Sequence, residues 1–153
     1  MDDVTLREIA PGDYSQWSEL WAGYNAFYGR RGSTALAREI TETTWSRFFD
    51  PSEPVHALVA ERRGDLVGLA HFLFHRSTIQ LQPTCYLQDL YTAEASRGMG
   101  VGRALIVAVY DFARAAGVPR VYWQTHETNA AAMQLYDKVA DRSGFIVYRK
   151  LLD

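Results

Sequence analysis

Apolar and polar residues alternate over 4–9, which predicts a short strand. The pair Pro11-Gly12 breaks it. Asp13, followed three residues later by Gln16, resembles a capping box that opens a helix. In that helix Tyr14, Trp17, Trp21, Tyr24 and Tyr28 recur at spacings of three and four and form one aromatic stripe. The ordinary role of such a stripe is to pack on a sheet, and its C-terminal part, 24–28, is also placed to line a pocket. A second helix is expected over 34–49, ended by Pro51 and Pro54. Residues 55–61 and 66–75 read as two strands around a tight turn at 62–65, and 84–92 as a third long strand. The clearest helix is 100–116, with Val101, Leu105, Ala108, Val109, Phe112 and Ala116 on one face, stopped by Gly117 and Pro119. A strand over 120–125, a helix capped by Asn129 and running to about residue 140, and a last strand over 145–150 complete the chain. The order β-α-α-β-β-β-α-β-α-β predicts an α/β (α+β) fold, a mixed sheet with helices on both faces.

Composition narrows the possibilities without naming a function. The 153 residues are 48% hydrophobic and 22% charged, the profile of one soluble globular domain, expected over 1–153. A chain of this size buries roughly two thirds of its unfolded surface and needs no staples. The longest uncharged apolar run, 104–110, is far shorter than a membrane span. The start, Met1-Asp2-Asp3, is acidic where a secretory signal would be basic. The single cysteine, Cys85, cannot form an internal disulfide, so a cytoplasmic, reducing setting is expected. A net charge of -2 argues against nucleic acid as a partner. Of the 16 basic residues, all but Lys138 and Lys150 are arginine.

The informative segment is Gln88-Asp89-Leu90-Tyr91-Thr92 followed by Arg97-Gly98-Met99-Gly100-Val101-Gly102. A strand ends, a short loop follows, and three glycines lead into a strong helix. Glycines let the backbone approach a ligand closely. The first N–H groups of the helix then point outward with the positive end of its dipole, a place for phosphate. The glycines are two apart, which is not the dinucleotide fingerprint, and no Gly-Lys-Ser/Thr follows.

The pattern Arg97-x-x-Gly100-x-Gly102 at a helix start, preceded by Gln88-Asp89-Leu90-Tyr91, resembles the coenzyme A motif of the GNAT superfamily of N-acetyltransferases. A second motif of that family matches Val121-Tyr122-Trp123, Asn129 and Leu135-Tyr136. The stretch from Tyr122 to Tyr136 and the ending 146–150 look most like the branch of yeast-type histone and polyamine acetyltransferases. The resemblance covers almost the whole chain. It implies a mostly antiparallel mixed sheet in which strands 84–92 and 120–126 splay to admit the pantetheine arm. It implies acetyl-CoA as co-substrate, with no metal, and transfer of acetyl to a primary amine in a ternary complex. The pyrophosphate would sit on the backbone of Arg97, Gly98, Met99, Gly100, Val101, Gly102 and Arg103. The pantetheine arm would pair with Leu90, Tyr91 and Thr92 and meet Asn129, and one N–H would polarise the acetyl carbonyl.

Tyr136 matches the tyrosine that relatives place near the sulfur, where a phenol can protonate a leaving thiolate. The base is open. Polyamine-acetylating relatives carry a glutamate at the position of Gln88, and an amide cannot take that proton. Asp89 and Glu127 are the nearest carboxylates, and His126 the nearest imidazole. Acceptor-pocket candidates are Tyr24, Asn25, Phe27, Tyr28, Gln88 and Trp123, whose aromatic faces suit a cationic amine. That amine can be a small molecule, a polyamine or a peptide lysine, and the resemblance also implies a homodimer. His71 and His75, four apart on a strand, stand about 13 Å apart and cannot share one ion. Nothing in the sequence marks an activating partner for Cys85 as an acyl carrier. Two other readings compete: a non-catalytic acyl-CoA-sensing module, motivated by Gln88, and a protein for a different phosphate ligand.

Overall fold

The structure, a computed structural model, describes residues 3–153; the acidic start at Met1 and Asp2 lies outside the described residues. One compact unit ends at Trp123, and a second runs Gln124–Asp153. In the first, the chain forms β1 (Val4–Glu8), α1 (Tyr14–Phe27), α2 (Arg38–Arg47), β2 (Val55–Arg62), β3 (Asp65–His75), β4 (Thr84–Thr92), α3 (Val101–Ala115) and β5 (Val121–Tyr122). The sheet order is β1-β2-β3-β4-β5, antiparallel throughout except for the parallel pair β4–β5. The sheet is therefore mixed and mostly antiparallel: β2, β3 and β4 follow one another through short turns, and the parallel pair β4–β5 is joined through α3, the crossover such a pair needs. In the second unit, α4 (Ala130–Val139) is capped by Asn129, whose Oδ1 accepts from the Ala132 N–H.

The aromatic stripe packs as its spacing predicts. Trp17 is fully buried, and Trp17, Leu20, Trp21 and Tyr24 of α1 form one cluster with Val59, Leu66 and Leu69 of β2 and β3. The opposite face of the sheet takes α3, whose Phe112 ring meets Phe72 at 5.1 Å and His56 at 5.0 Å. Burial of these large side chains on both faces supplies the main stabilising term. Close approach on the α3 side requires Gly68. A Cβ there would come within 2.9 Å of Leu105 Cδ1 and 3.0 Å of both the Tyr91 carbonyl oxygen and Val101 Cγ1.

Four expectations are corrected. The final strand expected over 145–150 is not formed within its own unit, because a strand exists only where a neighbouring backbone supplies its hydrogen bonds. Strand 120–126 contracts to Val121–Tyr122. The second helix begins at Arg38, because Gly32–Thr34 make a 3-10 turn in which Thr34 Oγ1 donates back to the Gly29 carbonyl at 2.6 Å. The capping box is absent. Asp13 accepts from the Ala10 N–H at 2.7 Å and takes both Nη atoms of Arg7 at 2.8 and 2.9 Å. Gln16 instead ties the β2–β3 hairpin to α1, accepting from the Leu66 N–H and donating to the Gly64 carbonyl.

Two predictions follow from this packing. Gly68→Ala meets a backbone oxygen that cannot yield, so it is expected to cost about 1–3 kcal/mol. Calorimetry should then record a melting temperature lower by about 3–10 °C; an unchanged melting temperature would show that the strands give way freely. Cys85 is fully buried, and burial pushes its thiol up to about 12. An aromatic disulfide reagent at pH 8 is expected to leave the native thiol unlabelled and to label it fully in denaturant.

Candidate active site

The site begins with a single extra residue in β4. Pairing runs Phe74↔Cys85, Leu73↔Tyr86, Phe72↔Leu87 and then jumps to His71↔Asp89. Gln88 is the residue left over, a β-bulge, and it is exposed. The bulge exchanges the faces of the strand. Cys85 and Leu87 pair with Phe74 and Phe72, which pack against α3. Asp89 and Tyr91, two and four positions on, pair with His71 and Leu69, which pack against α1. Without the bulge, Asp89 would face the α3 core, where a carboxylate has no partner.

On the α1 face Asp89 enters a buried chain of hydrogen bonds. The Trp17 indole N–H donates to His71 Nε2 at 3.0 Å. An indole N–H only donates, so that ring nitrogen accepts and the imidazole proton stands on Nδ1. From there it is given to Asp89 Oδ2 at 2.9 Å. Trp21 and Phe48 hold the imidazole from two sides, with ring centres 5.0 and 4.8 Å away. Both ring nitrogens of His71 are thus engaged by protein partners. His71 is 3% and Asp89 8% exposed, so this carboxylate depends on its donors rather than on water. Burial, and next the charge of the nearby Asp89 carboxylate, push Tyr24 ionisation well above the ordinary phenol range.

Tyr24 joins this buried chain to the rim. Its ring stacks on Trp21 at 5.3 Å and meets Tyr28 at 5.0 Å and Tyr91 at 6.3 Å. The half-buried Arg30 places its guanidinium over the faces of Tyr24 and Tyr28, 5.9 and 5.5 Å from their centres. Its Nε donates to Asn25 Oδ1 at 2.6 Å, while Asn25 Nδ2 donates to the Trp21 carbonyl at 2.8 Å. Asn25 is therefore a buried brace for Arg30, and the exposed groups beside it are Phe27 and Tyr28. The Trp21 indole N–H is buried with no acceptor among the described residues. Sequence reading weighed His71 only as a metal ligand and passed over Arg30. No local spacing signals either, because His71–Asp89 is a cross-strand pair and Arg30 acts through its loop.

The glycine-rich turn follows directly from β4. Arg97 Nε donates to the Thr92 carbonyl at 3.1 Å, and its guanidinium lies 5.6 Å from the Tyr91 ring centre. Gly100 caps α3 in the left-handed conformation, φ 81°, with no side chain over the helix end. The first intrahelical bond is Ala104 N–H to the Gly100 carbonyl, at 3.0 Å. The N–H groups of Val101, Gly102 and Arg103 thus have no acceptor within the helix, and no acidic side chain occupies its first turn. Beside this turn the β4–β5 ladder consists of Cys85↔Val121 and Tyr86↔Tyr122 alone. On that edge, residues 87–92 have no ladder partner among the described residues. An unpaired strand edge running into an open helix N-terminus suits a ligand with an amide-bearing arm and a phosphate. Trp123 closes the unit, its ring 6.4 Å from Tyr110.

In the second unit Tyr136 lies on α4 and is half-buried, with its carbonyl accepting from the Ala140 N–H. His126 Nδ1 lies 2.7 Å from Thr128 Oγ1 and accepts from the Thr128 N–H at 3.2 Å, and Glu127 beside it is exposed. Among the described residues no group of three or more His, Cys, Asp or Glu could hold a metal ion.

Known proteins resemble this chain in sequence and in fold. The chain is 36% identical to the D-amino-acid N-acetyltransferase HPA3 of Saccharomyces cerevisiae, over 97% of this chain and 91% of that one. It is 29% identical to the mycothiol acetyltransferase of Acidothermus cellulolyticus, over 92% of this chain, and spans about half of that relative, 45%. The solved structure of AAC(6')-Iy with a CoA-S-monomethyl-acetylneamine bisubstrate analog superposes with a TM-score of 0.80. That match covers 97% of this chain and 99% of the other at 14% identity, a likeness of fold. Residues 16–140 match the Acetyltransferase (GNAT) family, and with that match the chain belongs to this family of acyltransferases.

Proposed function

We propose that residues 1–153 work as one N-acetyltransferase domain that moves an acetyl group from acetyl-CoA to the primary amine of a small molecule. The observation that carries this reading is the unpaired β4 edge beside the open N-terminus of α3. Leu90, Tyr91 and Thr92 offer backbone groups to the pantetheine arm, and the turn from Arg97 to Arg103 offers N–H groups to the pyrophosphate. Asn129 is assigned to the same arm. The named relatives favour a small acceptor over a peptide lysine.

The amine lone pair attacks the acetyl carbonyl, a C–N bond forms, and the C–S bond breaks. A β4 backbone N–H near the Gln88 bulge stabilises the oxyanion, a contribution of about 3 kcal/mol in comparable sites. The Tyr136 hydroxyl gives its proton to the leaving thiolate, and the amine proton passes to a carboxylate, Asp89 or Glu127. Asp89 is the better supported, because His71 holds it in one orientation and leaves lone pairs over. Gln88, Tyr24, Tyr28, Phe27 and Trp123 line the acceptor path in this reading, with Asn25 behind them. Among the described residues, no helix is long and apolar enough to cross a membrane. A free buried thiol fits a reducing cytoplasm.

We also assign a homodimer. Phe145, Ile146, Val147, Tyr148, Leu151 and Leu152 are exposed, Phe145 by 91% and Tyr148 by 90%, more clustered apolar surface than a lone protomer carries without function. A second copy is the occupant expected from symmetry rules for soluble proteins.

Tyr136→Phe is expected to lower turnover about tenfold or more while leaving calorimetric affinity for acetyl-CoA unchanged. Full turnover with a verified amine would remove Tyr136 from the mechanism. Failure of acetyl-CoA to bind at all would end the whole reading. Sedimentation equilibrium should return twice the 17.3 kDa chain mass, and Ile146→Asp with Tyr148→Asp should return the single mass. A single mass for the unmodified chain would refute the dimer.

A further inference from the structure

The Tyr24 side chain holds opposite charges at two of its surfaces. The Asp89 carboxylate stands near its hydroxyl, and its ring face lies under the Arg30 guanidinium, 5.9 Å from Cζ to the ring centre. Each charge is fixed from behind. Asp89 is held by His71 Nδ1 at 2.9 Å, and His71 by the Trp17 indole at 3.0 Å. Arg30 is held through Nε by Asn25 Oδ1 at 2.6 Å, and its backbone N–H by the Asn25 carbonyl at 2.9 Å. Two side chains that would ordinarily sample many rotamers are thus fixed before any ligand arrives.

Neither charge is used up by its support. The Nε bond leaves the outer edge of the guanidinium, and among the described residues no hydrogen bond or ion pair takes up its Nη atoms. Asp89 accepts on Oδ2 from His71, and a carboxylate has about four lone-pair sites. Its side chain retains 11% exposure. The planar fork of an arginine matches a carboxylate better than it matches any neutral group. A rigid anion and a rigid cation on either side of one phenol therefore complement a small zwitterion.

We propose that Arg30 and Asp89, both beside Tyr24, are the recognition pair for an α-amino acid acceptor. Arg30 takes the α-carboxylate and Asp89 the α-ammonium. The inference rests on the acetyltransferase reading above and names its substrate class. It also explains the place of the bulge, because the residue that meets the ammonium is next to Gln88, where the acetyl carbonyl is to be polarised. An amine anchored at its carboxylate by Arg30 has its nitrogen directed at β4. A polyamine offers no group for Arg30, and its second cation would be repelled there.

The test compares phenylalanine of each hand, the corresponding phenylalaninamides and phenethylamine as acceptors for the full chain. The readouts are thiol release at saturating acetyl-CoA and, separately, calorimetric binding to the enzyme–CoA complex. At least one enantiomer of the free amino acid is expected to be preferred over its amide by about tenfold or more in kcat/KM, the loss expected for one charge-assisted pair. Arg30→Gln is expected to erase that preference by raising KM for the amino acid. Its melting temperature and acetyl-CoA affinity report whether it stays folded, and Arg30→Lys should restore part of the preference. A wild-type chain that acetylates phenethylamine or the amides as well as the amino acids overturns the proposal and leaves the acetyltransferase reading standing. So does an Arg30→Gln variant that retains the preference, or one that lowers both substrates equally. Amino acid binding that exceeds amide binding and falls in Arg30→Gln, without thiol release, supports the recognition pair while refuting the catalytic reading.

Discussion

One inserted residue governs the chemistry of this fold. A strand shows alternate residues to alternate faces, so 85, 87, 89 and 91 would all face α3 in an unbroken β4. The bulge at Gln88 breaks that parity. It keeps Cys85 and Leu87 in the apolar layer under α3 and turns Asp89 and Tyr91 toward α1. A carboxylate in the first layer would be unpaired, at a cost of several kcal/mol. In the second it meets His71 and Tyr24. The same local distortion exposes Gln88 and precedes the strand edge that lacks a ladder partner. The buried His71–Asp89 pair and the integrity of the core are therefore two consequences of one register shift.

The aromatic stripe of α1 has a polar purpose as well as an apolar one. A buried histidine beside a buried aspartate needs something to fill its other nitrogen. An indole does this without adding a second charge or an acceptor of its own. Trp17 supplies the N–H, and Trp21 and Phe48 supply walls that exclude water. Exclusion of water strengthens each bond in the chain, and it equally raises the cost of losing any one of them. Trp17, His71 and Asp89 thus behave as one unit, and removing any member leaves its neighbour buried without that partner.

What the sequence made legible follows from how far each signal reaches. Helices 14–28 and 100–116, and strands 55–61, 66–75 and 84–92, are set by local periodicity and appear nearly as expected. The glycine-rich turn is legible because Gly100 does a local job. Asp89 was visible as a carboxylate beside the motif, but its partner was not, since His71 lies 18 residues away in sequence and meets it through strand register. The bulge is silent in the run Thr84-Cys85-Tyr86-Leu87-Gln88-Asp89, which reads as plain strand. Residues 145–150 carry a strand pattern with no ladder in their own unit. Strand sequence is a capacity for pairing, and pairing is a property of neighbours.

The preference for arginine over lysine gains a physical basis at three positions. Arg7 uses its fork to take both oxygens of Asp13 and reaches Glu61 at 3.2 Å with the same group, which joins β1, β2 and the start of α1. Arg97 bonds the Thr92 carbonyl while lying on Tyr91, which holds the end of β4 against the glycine-rich turn. Arg30 bonds Asn25 edge-on while lying on Tyr24 and Tyr28. Arg7 needs a planar fork, and Arg97 and Arg30 a planar cation that lies over a ring while it donates, whereas an ammonium is a point charge on a flexible stem. Arginine is used here for geometry: it locks loops and strand ends to the sheet and to the aromatic rings of α1.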